Sequence, residues 1–435
     1  MKTRREFLRT TMLGASATWT LPMFIDRTFA QLHDSTEDLA IQAATGKDDT
    51  ILVVLQLAGG NDGLNTLVPF EDDTYHRARP RIAKKASDVM RINDHLGLNN
   101  AMPWLGSQYQ EGGVGIIQGV GYPNPNRSHF VSTSIWETAD PANRSNTGWL
   151  GRYFDNACQG SDPTVGISFN RSQPESFGAL RNPGVSINTP ELYRWLHGGG
   201  EGDMAEEFFA NLNQPDNDAP VDGGSIAMAA GGRPGGIAGE SNVEFLERVA
   251  LDARVSSKTI LELAARHRTR VRYDATPVAR NLNLVSRMIA GGMPTRVYYV
   301  SHGGFDTHNQ QANSHDRLLG QLDSALKSFF TDLREQGNDK RVVVMTFSEF
   351  GRRVAENASA GTDHGKASCM FCIGPAVQAG LHGTHPGLEN LDAGDITHTV
   401  DFRSVYATVL QDWLRVPDVK PILGGDSAKL KLIRA

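Results

Sequence analysis

Four short stretches of the 435-residue chain gather residue types that can bind a metal ion or an anion. They are Asn61, Asp62 and Asn65; the run Ser301-His302-Gly303-Gly304-Phe305-Asp306-Thr307-His308; the run Ser348-Glu349-Phe350-Gly351-Arg352-Arg353; and Gly361-Thr362-Asp363-His364-Gly365. Carboxylates and imidazoles in one place suit a divalent cation, because oxygen and nitrogen donors together satisfy borderline ions. Taken singly, each has an ordinary structural use. An Asp after a strand caps a helix or shapes a turn, and a lone His is usually satisfied by hydrogen bonds.

What joins them is their place relative to apolar runs. Ile51–Leu57 is continuous and of strand length, as are Val114–Ile117, Arg296–Val300 and Arg341–Phe347. Runs of this kind belong to strands buried on both faces. Between the last two, Leu318, Leu319, Leu322, Leu326, Phe329, Phe330 and Leu333 recur at helical spacing. Strand, helix and strand in that order predict an α/β fold with a mostly parallel central sheet and helices on both faces. Ligands of such sheets bind beyond the carboxyl ends of the strands, where the first three stretches fall; the fourth precedes an apolar run at Cys369–Pro375.

A formal net charge of −6 argues against a nucleic-acid partner. Three cysteines are too few for a disulfide scaffold. Cys369 and Cys372 form a C-x-x-C pair, but on an extended strand their side chains point to opposite faces. Buried thiols, a disulfide and a redox pair all remain open readings, as does a free core thiol at Cys158. A strand-borne pair also lacks the helix N-terminus that activates a redox cysteine.

The opening Thr3-Arg4-Arg5-Glu6-Phe7-Leu8-Arg9, a modestly apolar stretch and Thr28-Phe29-Ala30 read as a twin-arginine export signal over residues 1–30. Its apolar part is broken by Gly14, Thr18, Thr20 and Pro22 and is too short to span a bilayer. The expected working form is therefore exported, to the periplasm or beyond, with no transmembrane segment. Residues 31–50 read as a polar leader and 51–435 as a single domain. Within it, residues 213–240 are rich in Gly, Pro, Asp and Ala and read as a surface loop.

Leu57-Ala58-Gly59-Gly60-Asn61-Asp62-Gly63-Leu64-Asn65, Ser128-His129-Phe130, Phe305-Asp306-Thr307-His308, Ser348-Glu349-Phe350-Gly351-Arg352, Asp363-His364 and Thr399-Val400-Asp401-Phe402-Arg403 resemble the exported bacterial proteins grouped as domain of unknown function 1501. That group in turn resembles the alkaline phosphatase and sulfatase superfamily. The resemblance implies an alkaline phosphatase-like fold and one or two divalent ions, with zinc, manganese and calcium not distinguished. Asp62, Asp306, His308, Glu349 and His364 would hold metal. Glu349 and Phe350 stand where the superfamily pattern has Asp and a metal-binding His, and Asp306 and His308 are more tightly spaced than the usual pair.

The resemblance places a nucleophile near Ser128, with Ser132 second. Arg127 or Arg352 would steady a phosphate or sulfate, as a small-molecule or polymer ester. The structural reading of the same stretch makes Ser128 a helix N-cap with Arg127 and His129 on the surface. Two functions from different classes follow: an exported metal-dependent hydrolase of phosphate or sulfate esters, or a non-catalytic periplasmic binding protein on the same fold. Changing Arg4 and Arg5 together to Lys is expected to leave unprocessed precursor in the cytoplasm, read by fractionation and immunoblot. Normal export of processed chain would refute the twin-arginine reading.

Overall fold

A computed structural model describes residues 50–158, 163–170, 172–187 and 267–434. The expected signal at 1–30, the leader as far as residue 49 and the Gly-rich stretch 213–240 lie outside these residues. The strands are β1 (Ile51–Ala58), β2 (Leu67–Val68), β3 (Val89–Arg91), β4 (Gly97–Asn99), β5 (Val114–Gly121), β6 (Gly166–Ser168), β7 (Val185–Ser186), β8 (Val297–Gly303), β9 (Val342–Phe347), β10 (Ser368–Ile373), β11 (Gly380–His382) and β12 (Val400–Asp401). The main sheet has the order β11-β5-β10-β9-β1-β8-β6-β7, with β12 also pairing β5. Its ladders are parallel except where β10 runs antiparallel to both β5 and β9. The sheet is mixed but mostly parallel, as the apolar runs predicted. A small antiparallel sheet, β2-β4-β3, was not foreseen, because its strands are only two or three residues long.

Both faces of the sheet are covered, which is why its strands read as unbroken apolar runs. Ile51, Val53, Leu55 and Leu57 of β1 face one core, where helices Pro103–Gln110, Pro277–Ala290 and Gln311–Gln336 pack. Leu52 and Val54 face the other, built with helices His129–Thr138, Trp149–Ala157 and Phe402–Thr408. Cys369 lies in the first core and Cys372 in the second. Burial pushes each thiol up to about 12. The two face away from each other across the sheet as free thiols, and Cys158 is also buried and outside any disulfide.

Register decides what the sheet presents. Leu57 pairs with His302 and Ala58 with Gly303, while Gln56 pairs with Phe347. The carboxyl ends of β1, β8 and β9 are therefore level. β5 ends at the same edge, and the reversed β10 begins there, with Ser368 opposite Val120. Four connections meet at one edge: those after β1, β5 and β8, and the one that leaves β9 and returns as β10.

At the other end of helix His129–Thr138, Glu137 is buried, and no cation among the described residues pairs with it. Tyr299 Oη lies 2.7 Å from Glu137 Oε1 and 3.1 Å from Gln56 Oε1. A phenol has one proton to give, so a protonated Glu137 that donates to Tyr299 satisfies both contacts. Burial raises the Glu137 pKa, in the same direction. The sign follows: stability is complete below the ordinary carboxyl range and declines as pH rises toward the raised value. Glu137→Gln, isosteric with the neutral acid, should raise Tm at pH 8 and leave it unchanged near pH 4. A lower Tm at pH 8 would mean that Glu137 is ionised in the fold.

Candidate metal centre

The connection after β1 runs through Gly59 and Gly60, both at positive φ (118° and 83°). A Cβ on Gly59 would lie 2.4 Å from the Asp306 backbone nitrogen, and one on Gly60 would lie 2.3 Å from the Phe350 ring. Only glycine lets the β1 and β8 connections approach so closely. The gap is closed by Arg352, which is fully buried. Its Nε donates to the Gly60 carbonyl at 2.7 Å and its Nη1 to the Thr362 carbonyl at 2.8 Å. Its Nη2 donates to the carbonyls of Gly59 and of Phe305, the latter at 2.9 Å, and to Asp306 Oδ1 at 2.8 Å. One guanidinium thus ties three connections together and aims Asp306.

Three imidazoles converge on Asp306. His308 Nε2 lies 3.0 Å and His364 Nε2 3.2 Å from Oδ1, and His129 Nε2 lies 3.4 Å from Oδ2. The other nitrogen of each ring meets an acceptor. His129 Nδ1 is 2.9 Å from Glu349 Oε1, His308 Nδ1 is 3.3 Å from Asp363 Oδ1, and His364 Nδ1 is 2.8 Å from the Arg127 carbonyl. With Nδ1 held by an acceptor, each ring in the tautomer protonated there would turn its Nε2 lone pair inward, as a metal ligand requires. Burial also lowers the His364 pKa, which favours its neutral form.

Burial pushes the Asp306 carboxyl up, but the Arg352 hydrogen bond and charge and the two imidazoles outweigh it and bring it to about 2. Asp306 is thus an anion facing three ring nitrogens, and His308 Nε2 and His364 Nε2 are 2.9 Å apart. Two facing lone pairs at that distance repel unless a proton or a cation lies among them.

The arrangement fits an ion. Nitrogen and oxygen ligands about 2.0–2.1 Å from one metal lie about 3.0–3.4 Å from each other at tetrahedral or octahedral angles, close to the separations given above. His129 Nε2 is buried and makes no hydrogen bond. Oriented rings backed by carboxylate or carbonyl acceptors are the usual second layer of metal sites. Among the described residues, His129, Asp306 and His364 form a group whose ligand atoms all lie within 4.8 Å of one another, with His308 beside it.

Of the residues picked from the sequence, Asp306, His308 and His364 come together here. Glu349 stands one layer back, holding His129 and accepting from the Gly59 backbone at 2.8 Å. Asp62 is elsewhere employed. It caps helix Gly63–Thr66 through Leu64 and Asn65, accepts from Gln311, and pairs with buried Arg79 at 2.6 Å. Burial pushes its pKa up, yet the Arg79 charge and hydrogen bond prevail and the net shift is downward. Arg79 supplies from within the chain the positive charge that a metal was expected to bring. His302 is buried against the Leu318 carbonyl.

Arg352, expected to steady an anion, has its donors committed to backbone carbonyls and Asp306. Arg127 is paired with Asp395. Ser128 is the exposed N-cap residue of helix His129–Thr138, without a side-chain capping bond. Ser132 is buried, and its hydroxyl donates to the Glu349 carbonyl at 2.6 Å. Phe350 stacks on His364, with ring centroids 4.5 Å apart.

His129, a surface residue in the structural reading of its motif, is instead partly buried and turned toward Asp306. The signal that could have found it is the run Val114–Ile117 continued to Gly121, which ends a strand just ahead of it.

Residues 239–416 match the family described as Protein of unknown function (DUF1501). No curated protein matches the sequence. Among solved structures, the PsFucS1 sulfatase from Pseudoalteromonas sp. is similar with a TM-score of 0.35 and 10% identity, over 91% of this chain and 77% of that one. The lipoteichoic acid synthase LtaP from Listeria monocytogenes is similar with a TM-score of 0.30 and 11% identity, over 90% of this chain and 79% of that one. No helix among the described residues is long and apolar enough to cross a membrane.

Arg352→Lys keeps the charge but cannot reach four carbonyls and a carboxylate at once. It should lower unfolding stability by about 3 kcal/mol, measured by urea denaturation. A loss within experimental error would show that the connections hold together without the clamp.

Proposed function

We propose that the chain is a metal-dependent hydrolase acting on phosphate or sulfate esters, with one ion held by His129, Asp306 and His364 and with His308 as a fourth donor. The observation that carries this is the inward aim of three imidazoles onto one carboxylate, each ring backed at Nδ1 by an acceptor. Bound there, a divalent ion would supply Lewis-acid polarisation of an ester oxygen.

The chain's own residues do the rest of the positioning. Glu349 and the Arg127 carbonyl orient the rings, Arg352 keeps Asp306 ionised and directed inward, and Phe350 shields one face of His364. With Ser132 donating inside the protein and Asp62 neutralised by Arg79, the reading is a single-ion centre without an assigned protein nucleophile. An exported role follows from the expected signal.

A second reading, a binding protein on the same scaffold, is favoured by one feature. Phe350 stands where a further nitrogen ligand was expected, and its ring lies against the two histidines His129 and His364.

Elemental analysis of protein purified without chelator tests the centre. About one divalent ion per chain is expected in the wild type, little in His129→Ala and His364→Ala, and the full amount in Asp62→Asn and His382→Ala. Folded wild type that neither carries nor takes up zinc, manganese or calcium would overturn it. Turnover of an aryl phosphate or sulfate by the wild type and not by His364→Ala would favour the hydrolase. Metal binding without turnover on any ester of a broad panel would favour the binding protein.

A further inference from the structure

The geometry points to an anion-binding subsite formed by Arg127, Arg353 and Lys366, which the chain fills with its own acidic turn Asp392–Asp395 and which takes a second phosphate or sulfate group of a polyanionic ligand. The inference rests on the metal-centre reading only for the identity of the first group.

All three cations are carried by connections that build the centre. The Arg127 carbonyl holds His364, Arg353 follows Arg352, and Lys366 lies two residues beyond His364. Each faces a carboxylate of one hairpin: Arg127 Nη2 meets Asp395 Oδ2, Lys366 Nζ meets Asp392 Oδ2, and Arg353 Nε is 3.8 Å from Asp395 Oδ1. The hairpin is closed by Asp392 N to Asp395 O at 2.9 Å and Asp395 N to Asp392 O at 3.2 Å.

The fit of the turn is incomplete in ways a permanent structural contact would not be. Ala393 and Gly394 at its tip have φ of 53° and 87°. The alanine there is strained by about 1 kcal/mol. Asp395 is fully buried, yet its Oδ1 makes no hydrogen bond. Burial accordingly raises the Asp395 pKa despite two guanidiniums nearby. Two carboxylates face three cations, and the side chains of Arg127 and Arg353 remain 35% and 38% exposed. A tetrahedral dianion offers more acceptor oxygens than either carboxylate and matches a guanidinium fork. Such a group, on a ligand whose other ester lies at the centre, would displace the turn.

The test is calorimetric titration of sodium sulfate, at constant ionic strength, into full-length protein dialysed against chelator. Removing metal separates this result from the outcome of the metal analysis. Asp392→Asn frees Lys366 and should tighten sulfate binding about fivefold, and adding Lys366→Gln should cancel the gain. Asp395→Asn should act in the same direction. Asp392, with a side chain 65% exposed, can be changed without unfolding the chain, so it decides the matter if Asp395→Asn does not fold. Sulfate affinity in Asp392→Asn equal to or weaker than wild type, with a native circular dichroism spectrum, would overturn the subsite.

Discussion

The bidentate and branching reach of one buried guanidinium, Arg352, is the contact on which the site depends. A parallel sheet delivers its connections to a common edge but does not hold them against one another, since each leaves its strand with unpaired carbonyls. Arg352 collects four such carbonyls and one carboxylate. A buried cation without compensation would be very costly, so the charge and the loop geometry enforce each other. The glycines at 59 and 60 make room for this clamp.

The same logic of paired charges separates two aspartates that look equivalent along the chain. Asp62 and Asp306 both follow buried strands, and both have lowered pKa values with an arginine as a principal cause. Asp62 is enclosed, with Arg79, Gln311 and backbone amides using its oxygens. Asp306 keeps a half-exposed side toward the histidines. One serves as a joint in the fold and the other faces the place where chemistry can occur. The difference lies in what surrounds each carboxylate rather than in the residue type or its strand-end position.

The histidines show how orientation is built in a second layer. Glu349, Asp363 and the Arg127 carbonyl have no direct place among the inward atoms, yet each holds a ring at its Nδ1 and so turns its Nε2 inward. Ring nitrogens brought within about 3 Å of one another and of a carboxylate make an arrangement that a cation would complete. This is the physical basis for proposing a cation there.

The sequence alone determined the layers. Unbroken apolar runs mark strands buried on both faces, leucine spacing marks the long helix Gln311–Gln336, and the placement of C-x-x-C on a strand sends Cys369 and Cys372 into opposite cores. It also determined that Asp306, His308 and His364 lie near strand ends, because polar residues cannot continue such runs. Only the tertiary structure decided which of the candidate residues meet. That depends on strand order, on the reversal of β10 and on register, which bring residues 129, 306 and 364 to one point although long stretches of chain separate them. It depends too on partners that carry no local signature, such as Arg79 for Asp62 and Asp395 for Arg127. Local pattern reports whether a side chain is buried, whereas the charge that compensates it comes from wherever the fold brings the chain back.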